Sequence, residues 1–103
     1  MTKSYPIVSP ASGVTRQVLA DNEDLMMVSF RFEEGAEGVL HDHPHVQSTF
    51  VRSGRFNFVI GDQERALEPG DSLIIPSGVS HGCVCLAAGE LIDCFTPRRD
   101  DFL

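Results

Sequence analysis

An all-β fold, a small sandwich or barrel, is what this sequence predicts, and two observations carry the prediction. Apolar segments of about five residues recur at intervals of about ten, with Gly and Pro between them. No segment holds helical periodicity for long. Roughly the first 20 residues carry weak signals and suit an edge strand or an N-terminal arm. Leu25 to Phe32 (LMMVSFRF) is apolar with Ser29 and Arg31 breaking in, a strand closed by the turn EEGAEG. Ser48 to Asp62 reads as two strands around Ser53-Gly54, a hairpin, with Phe56, Phe58 and Ile60 alternating against Arg55, Asn57 and Val59. A Pro-Gly-Asp turn at Pro69 to Asp71 precedes a short apolar strand, Ser72 to Ile75, which Pro76-Ser77-Gly78 ends. HGCVCL and ELIDCFTP follow as two more strands, parted by Ala87-Ala88-Gly89. The closing PRRDDFL is charged, as a surface segment is.

Composition narrows the function classes. A chain of 103 residues is one domain with a small core. With 42% apolar and 22% charged residues the chain is globular rather than disordered, and no apolar run approaches the length of a membrane span. A formal charge of −7 disfavours nucleic acid and anionic membrane as partners, because both demand a basic footprint. MTKSYPIVSP lacks the apolar core of a secretory signal, so the expected address is the cytoplasm. Three cysteines, an odd number with Cys83 and Cys85 close together, are no disulfide framework and read as reduced packing thiols.

Three of the four histidines crowd into one segment, HDHPHVQ, as His41, His43 and His45, followed by Gln47. Alternate side chains of a regular strand share a face, so His41, His43 and Gln47 can point together. Imidazole suits Zn, Ni, Cu and Fe, and a glutamine adds a neutral, harder oxygen. The only other histidine, His81, opens the strand HGCVCL. By residue type alone an HxH pair is more often an exposed strand pair than a metal site, and Cys83 and Cys85 are more often packing thiols than ligands. Pro44 disturbs the strand at His45, which reads as a pocket neighbour rather than a ligand.

Spacing changes that balance. Gly35, His41, His43, Gln47 and Gly54 stand at the intervals of the first motif of the cupin family, which this segment resembles, with glutamine where glutamate is usual. Gly70, Pro76, Gly78 and His81 resemble the second motif. The resemblance implies a double-stranded β-helix, a jelly-roll-like barrel, holding one divalent ion (Zn, Ni, Mn or Fe) on His41, His43, Gln47 and His81. Three imidazoles and an amide leave the ion's charge uncancelled, which favours anionic oxygen ligands. The two-histidine, one-carboxylate triad of iron oxygenases is absent.

The tail DCFTPRRDDF, with HxHPH and the glutamine, is similar to the pectin-degradation group of small cupins. That resemblance implies a site lined by Asp93, Phe95 and Arg99, and opening of the ring of 4,5-unsaturated monouronates to 5-keto-4-deoxyuronates. The implied substrate is a small anionic sugar acid. Asp93 is implied as acid and base, Arg99 as a clamp on the carboxylate and Phe95 as a support for the sugar face. Two other readings stay open, a non-catalytic binding or sensor cupin and a cupin dioxygenase or sugar isomerase. Small cupins commonly pair, and a small barrel gains core by pairing, so a homodimer is expected.

Overall fold

The structure, a computed structural model, describes residues 5–103 and is built almost wholly of antiparallel strands. These are β1 (Ile7–Ala11), β2 (Val14–Asp21), β3 (Met26–Phe32), β4 (Glu37–His41), β5 (Val46–Ile60), β6 (Gln63–Leu67), β7 (Ser72–Ile75) and β8 (His81–Thr96). Asp100–Phe102 forms a single 3-10 turn. The sheet runs in the order β1-β2-β3-β8-β5-β6, with β4 paired to β8 and β7 to β5. The predicted edge strand or arm is a β1–β2 hairpin turned at Gly13, and the part of that expectation falling on residues 1–4 lies outside the described residues.

Two predicted breaks are overturned. No hairpin forms at Ser53-Gly54: β5 runs through it as one strand, and the reversal comes later, at Gly61-Asp62 into β6. Likewise Ala87-Ala88-Gly89 parts no strands, because β8 continues from His81 to Thr96. The cause lies in long-range pairing. β5 and β8 form one antiparallel ladder from Val46 opposite Thr96 to Ile60 opposite His81, with register shifts only around Ser53 to Phe56. Glycine at positive φ serves a bulge as readily as a turn, and the partner strand decides which is made. The bulge also switches the inward-facing set, from Gln47, Thr49 and Val51 to Phe56 and Phe58.

At the bends the two strands almost touch. A methyl group on Gly89 would lie 2.1 Å from the Ser53 carbonyl oxygen, and one on Gly54 would lie 2.5 Å from that of Ala87. Beside this crossing the buried Glu90 carboxylate ties three strands. It accepts hydrogen bonds from the Ser29 hydroxyl, from Arg52 at 2.5 Å and from Arg31 at 3.4 Å. Burial pushes its pKa up, but these donors outweigh that and hold it below the usual carboxylate value. Inside, Val51, Phe56, Phe58, Ile75, Cys85 and Leu91 centre one core cluster. Val18, Met26, Val28 and Phe95 form a second. A cavity lies among these strands.

Gly89→Ala should therefore destabilise the fold by about 3 kcal/mol or more, since backbone rather than a flexible side chain blocks the new methyl. Gly70→Ala, in open space at φ 92, should cost only about 1–2 kcal/mol of left-handed strain. Urea midpoints of the two variants check this, and equal losses would contradict the close crossing.

Candidate metal centre and active site

Three elements deliver the histidines. His41 ends β4 and pairs with His81, which opens β8. The strand predicted through His43 and His45 is not regular: β4 stops at His41, residues 42–45 form a loop, and β5 resumes at Val46. Convergence survives because the loop is pinned, the Gly78 N–H donating to the His43 carbonyl at 2.8 Å. The Pro76-Ser77-Gly78 break thus fastens one histidine while leading the chain into another. Potential ligand atoms of His41, His43 and His81 lie within 4.8 Å of one another, a grouping able to hold a metal ion.

The hydrogen bonds orient these donors. Each imidazole Nδ1 meets a backbone carbonyl: His41 that of Val39 at 2.7 Å, His43 that of His45 at 3.0 Å and His81 that of Val79 at 2.9 Å. A carbonyl only accepts, so each Nδ1 donates its proton there and Nε2 is the nitrogen left to face an ion, the arrangement that ligating imidazoles need. The buried Nε2 of His81 has no partner. Nε2 of His43 lies 3.0 Å from Oε1 of Gln47, whose amide nitrogen donates to Thr49 Oγ1 at 2.9 Å and to Asp93 Oδ2 at 3.2 Å. Two acceptors therefore face each other, and a cation between them relieves the contact. On this donor chemistry a divalent ion fits His41, His43, His81 and Gln47.

Electrostatics agree. Burial pushes His81 down to about 4, with His41, His43 and Arg99 acting in the same direction. Burial also lowers His43. Both rings are consequently neutral at neutral pH, ready to donate. Cys83 lines the cavity, but burial pushes its thiol up to about 12, and Cys85 is raised by burial as well. They remain packing thiols.

A cavity of about 210 Å³ opens beside the histidines. His41, Gln47, His81, Asp93 and Arg99 line it together with Phe95, while Phe30, Phe32, Phe58 and Leu91 supply apolar wall. Asp93, buried on β8, keeps Oδ1 without a hydrogen-bond partner. Burial raises its carboxyl to about 7, against the opposing pull of the Thr49 hydroxyl and Arg99. The tail is not merely surface. Arg98 pairs with the buried Asp21 at 3.1 Å, and the Arg99 guanidinium lies 4.1 Å from the centroid of the Phe102 ring and 5.3 Å from that of Phe95. Asp101 takes Nε and Nη2 of Arg99, leaving Nη1. His45 is half-buried and stands outside this lining, offering its carbonyl to His43. Sequence reasoning missed Thr49 and Phe102. Thr49 shares parity with Gln47, a usable signal, whereas Phe102 follows an irregular segment that periodicity cannot place.

The cupin domain family profile matches residues 28–92. The pectin degradation protein KdgF of Dickeya dadantii (strain 3937) is 41% identical over 93 residues, spanning 88% of this chain and 84% of that protein. Among solved structures, an RmlC-like cupin from Shewanella frigidimarina NCIMB 400 is 40% identical with a TM-score of 0.92, covering 96% of this chain and 89% of the other. KdgF from Halomonas sp. is 37% identical with a TM-score of 0.91, covering 95% and 93%.

The raised Asp93 gives a signed pH effect in chelator-treated protein. Between about 4, its unfolded value, and about 7 the folded chain binds the extra proton. The stability of wild type relative to Asp93→Asn should be highest below that window and fall as pH rises through it, by at most roughly 4 kcal/mol. His81 contributes oppositely, losing stability as pH falls from about 6.5 toward 4, and is common to both proteins. Urea midpoints of the pair across this range test the effect, and a constant gap would refute it.

Proposed function

The chain belongs to the cupin family, and on that premise we propose that it is a metal-dependent enzyme opening the ring of 4,5-unsaturated monouronates, sugar acids released in pectin and alginate breakdown. One observation above the others supports this: Asp93, buried with a free Oδ1, lines the same cavity as the histidine cluster and Arg99. The kinship with pectin degradation proteins supports the substrate class. A divalent ion held by His41, His43, His81 and Gln47 would act as a Lewis acid for oxygen that gains negative charge.

The chain's own groups supply the rest. Ring opening moves one proton from the C1 hydroxyl to C4. As the C1 to ring-oxygen bond breaks, C1 becomes an aldehyde and the ring oxygen an enolate, which protonation at C4 turns into the 5-ketone. Asp93 fits this shuttle, since a carboxyl near pKa 7 both takes and returns a proton at neutral pH. Its Oδ2 is held by Gln47, leaving Oδ1 for the substrate. Arg99, with Nη1 left by Asp101, binds the C6 carboxylate. Phe95 and Phe102 flank that guanidinium and keep water from it.

Lyase-generated unsaturated galacturonate or mannuronate, followed by loss of absorbance from the ring double bond, tests the activity. Wild type should outpace the spontaneous reaction and Asp93→Asn should lose about a hundredfold to ten-thousandfold. A wild-type rate no faster than the spontaneous one would end the proposal, and binding without conversion would identify a sensor instead. Gln47→Glu gives a second check. It places a carboxylate beside Asp93 and removes both donated N–H groups, so metal should bind more tightly while kcat falls about tenfold or more. Unchanged turnover would show that the amide is dispensable.

A further inference from the structure

Gln47 offers the cavity either of two atoms, and a half-turn of its amide exchanges them. With Oε1 toward His43 it presents a metal donor. Turned over, its N–H would donate to the free lone pair of His43 Nε2 and occupy that donor as well. The sheet alone sets no preference, because side-chain amide rotation leaves the backbone unchanged. The choice must come from what the other end of the amide meets.

That end meets Thr49. Two residues along β5 and on the same inward face, Thr49 is 1% exposed and stands opposite Asp93 in the β5–β8 ladder. Its hydroxyl oxygen lies 2.9 Å from the Gln47 amide nitrogen. Asp93 faces it across the ladder, and the hydroxyl dipole holds the acid's pKa down, so the hydroxyl proton points toward Asp93 and the oxygen is left to accept from Gln47. A hydroxyl committed in this direction accepts N–H but repels a carbonyl oxygen. The second N–H of Gln47 is taken by Asp93 Oδ2, which in its ionised form likewise rejects a carbonyl oxygen. Turning the amide would break both bonds and bury two acceptor pairs face to face.

We propose that Thr49 is a positioning residue that fixes the Gln47 amide with its oxygen toward the histidines and so completes the metal donor set. Thr49 touches neither ion nor substrate in this role. It joins the metal half of the site to the proton-handling half, because its hydroxyl accepts from the Gln47 amide and stands opposite Asp93 in the β5–β8 ladder. The inference rests on Gln47 being a ligand, as in the proposed function.

Co²⁺ affinity, read by competition with a chromophoric chelator, together with the visible spectrum of the bound ion, tests it without recourse to activity. Thr49→Val keeps the shape and loses the hydroxyl, and should weaken Co²⁺ binding about 10–100-fold and alter the spectrum. Thr49→Ser keeps the hydroxyl and should bind like wild type. If Thr49→Val fails to fold, Thr49→Ala makes the same comparison with Thr49→Ser. Gln47→Ala separates the two levels of the claim. Should Gln47→Ala lose affinity while Thr49→Val retains it, the positioning role is overturned and the ligand stands. Should Gln47→Ala bind as wild type, the ligand reading and the positioning role fall together. Equal losses in Thr49→Val and Thr49→Ser would make Thr49 a packing residue and overturn the proposal.

Discussion

The pairing of β5 with β8 is the constraint on which the rest of the molecule depends. Both are long, both bend midway, and their antiparallel ladder sets Gln47 opposite Phe95, Thr49 opposite Asp93 and Ile60 opposite His81. Five residues of the candidate site, Gln47, Thr49, Asp93, Phe95 and His81, are therefore placed by one register. β4 and β7 add themselves to the two sides of this pair, bringing His41 beside His81 and Ile75 beside Gln47. Loops contribute only His43 and the tail, and each is tied back to the strands, His43 through Gly78 and the tail through Asp21.

Within that frame the amide of Gln47 does what a carboxylate could not. It faces the histidines with an acceptor and faces Thr49 and Asp93 with two donors. A carboxylate there would leave Asp93 beside a like charge and Thr49 torn between two acids. In the proposed site the neutral donor set and the buried Asp93 belong together: glutamine would leave a bound ion's charge uncancelled and would also spare Asp93 a neighbouring carboxylate. That is a physical reason for glutamine at a position where the cupin motif usually carries glutamate.

Much of this was legible in the sequence, and what was not follows a pattern. An apolar run marked the strand expected over Leu25 to Phe32, which the structure starts one residue later, alternation marked the inward Phe56 and Phe58, and the breaks around Ser72–Ile75 marked a strand whose limits the structure keeps. Spacing picked out His41, His43, Gln47 and His81, which the fold brings together although His43 stands on a loop rather than a strand. The hairpin expected at Ser53-Gly54 failed because local turn chemistry is silent about distant partners. The same silence hid the continuity of β8 through Gly89. Phe102 escaped notice because nothing periodic surrounds it, and the apparently solvated tail reaches the cavity through the Arg98–Asp21 pair, a contact 77 residues apart in sequence.

The close crossing of Gly54 and Gly89 also guards against error. A strand as long as β5 could slide along β8 by two residues and still present apolar groups inward on either side of its bend. Such a slip would carry Arg52 or Phe56 to the crossing, where the opposing backbone leaves no room even for a methyl group. Only the pairing that brings both glycines together can close the barrel. The donors are thus counted off from a fixed origin near the middle of each strand, and the glycine pair works as a vernier mark, excluding misaligned sheets whose hydrophobic pattern alone would have been acceptable.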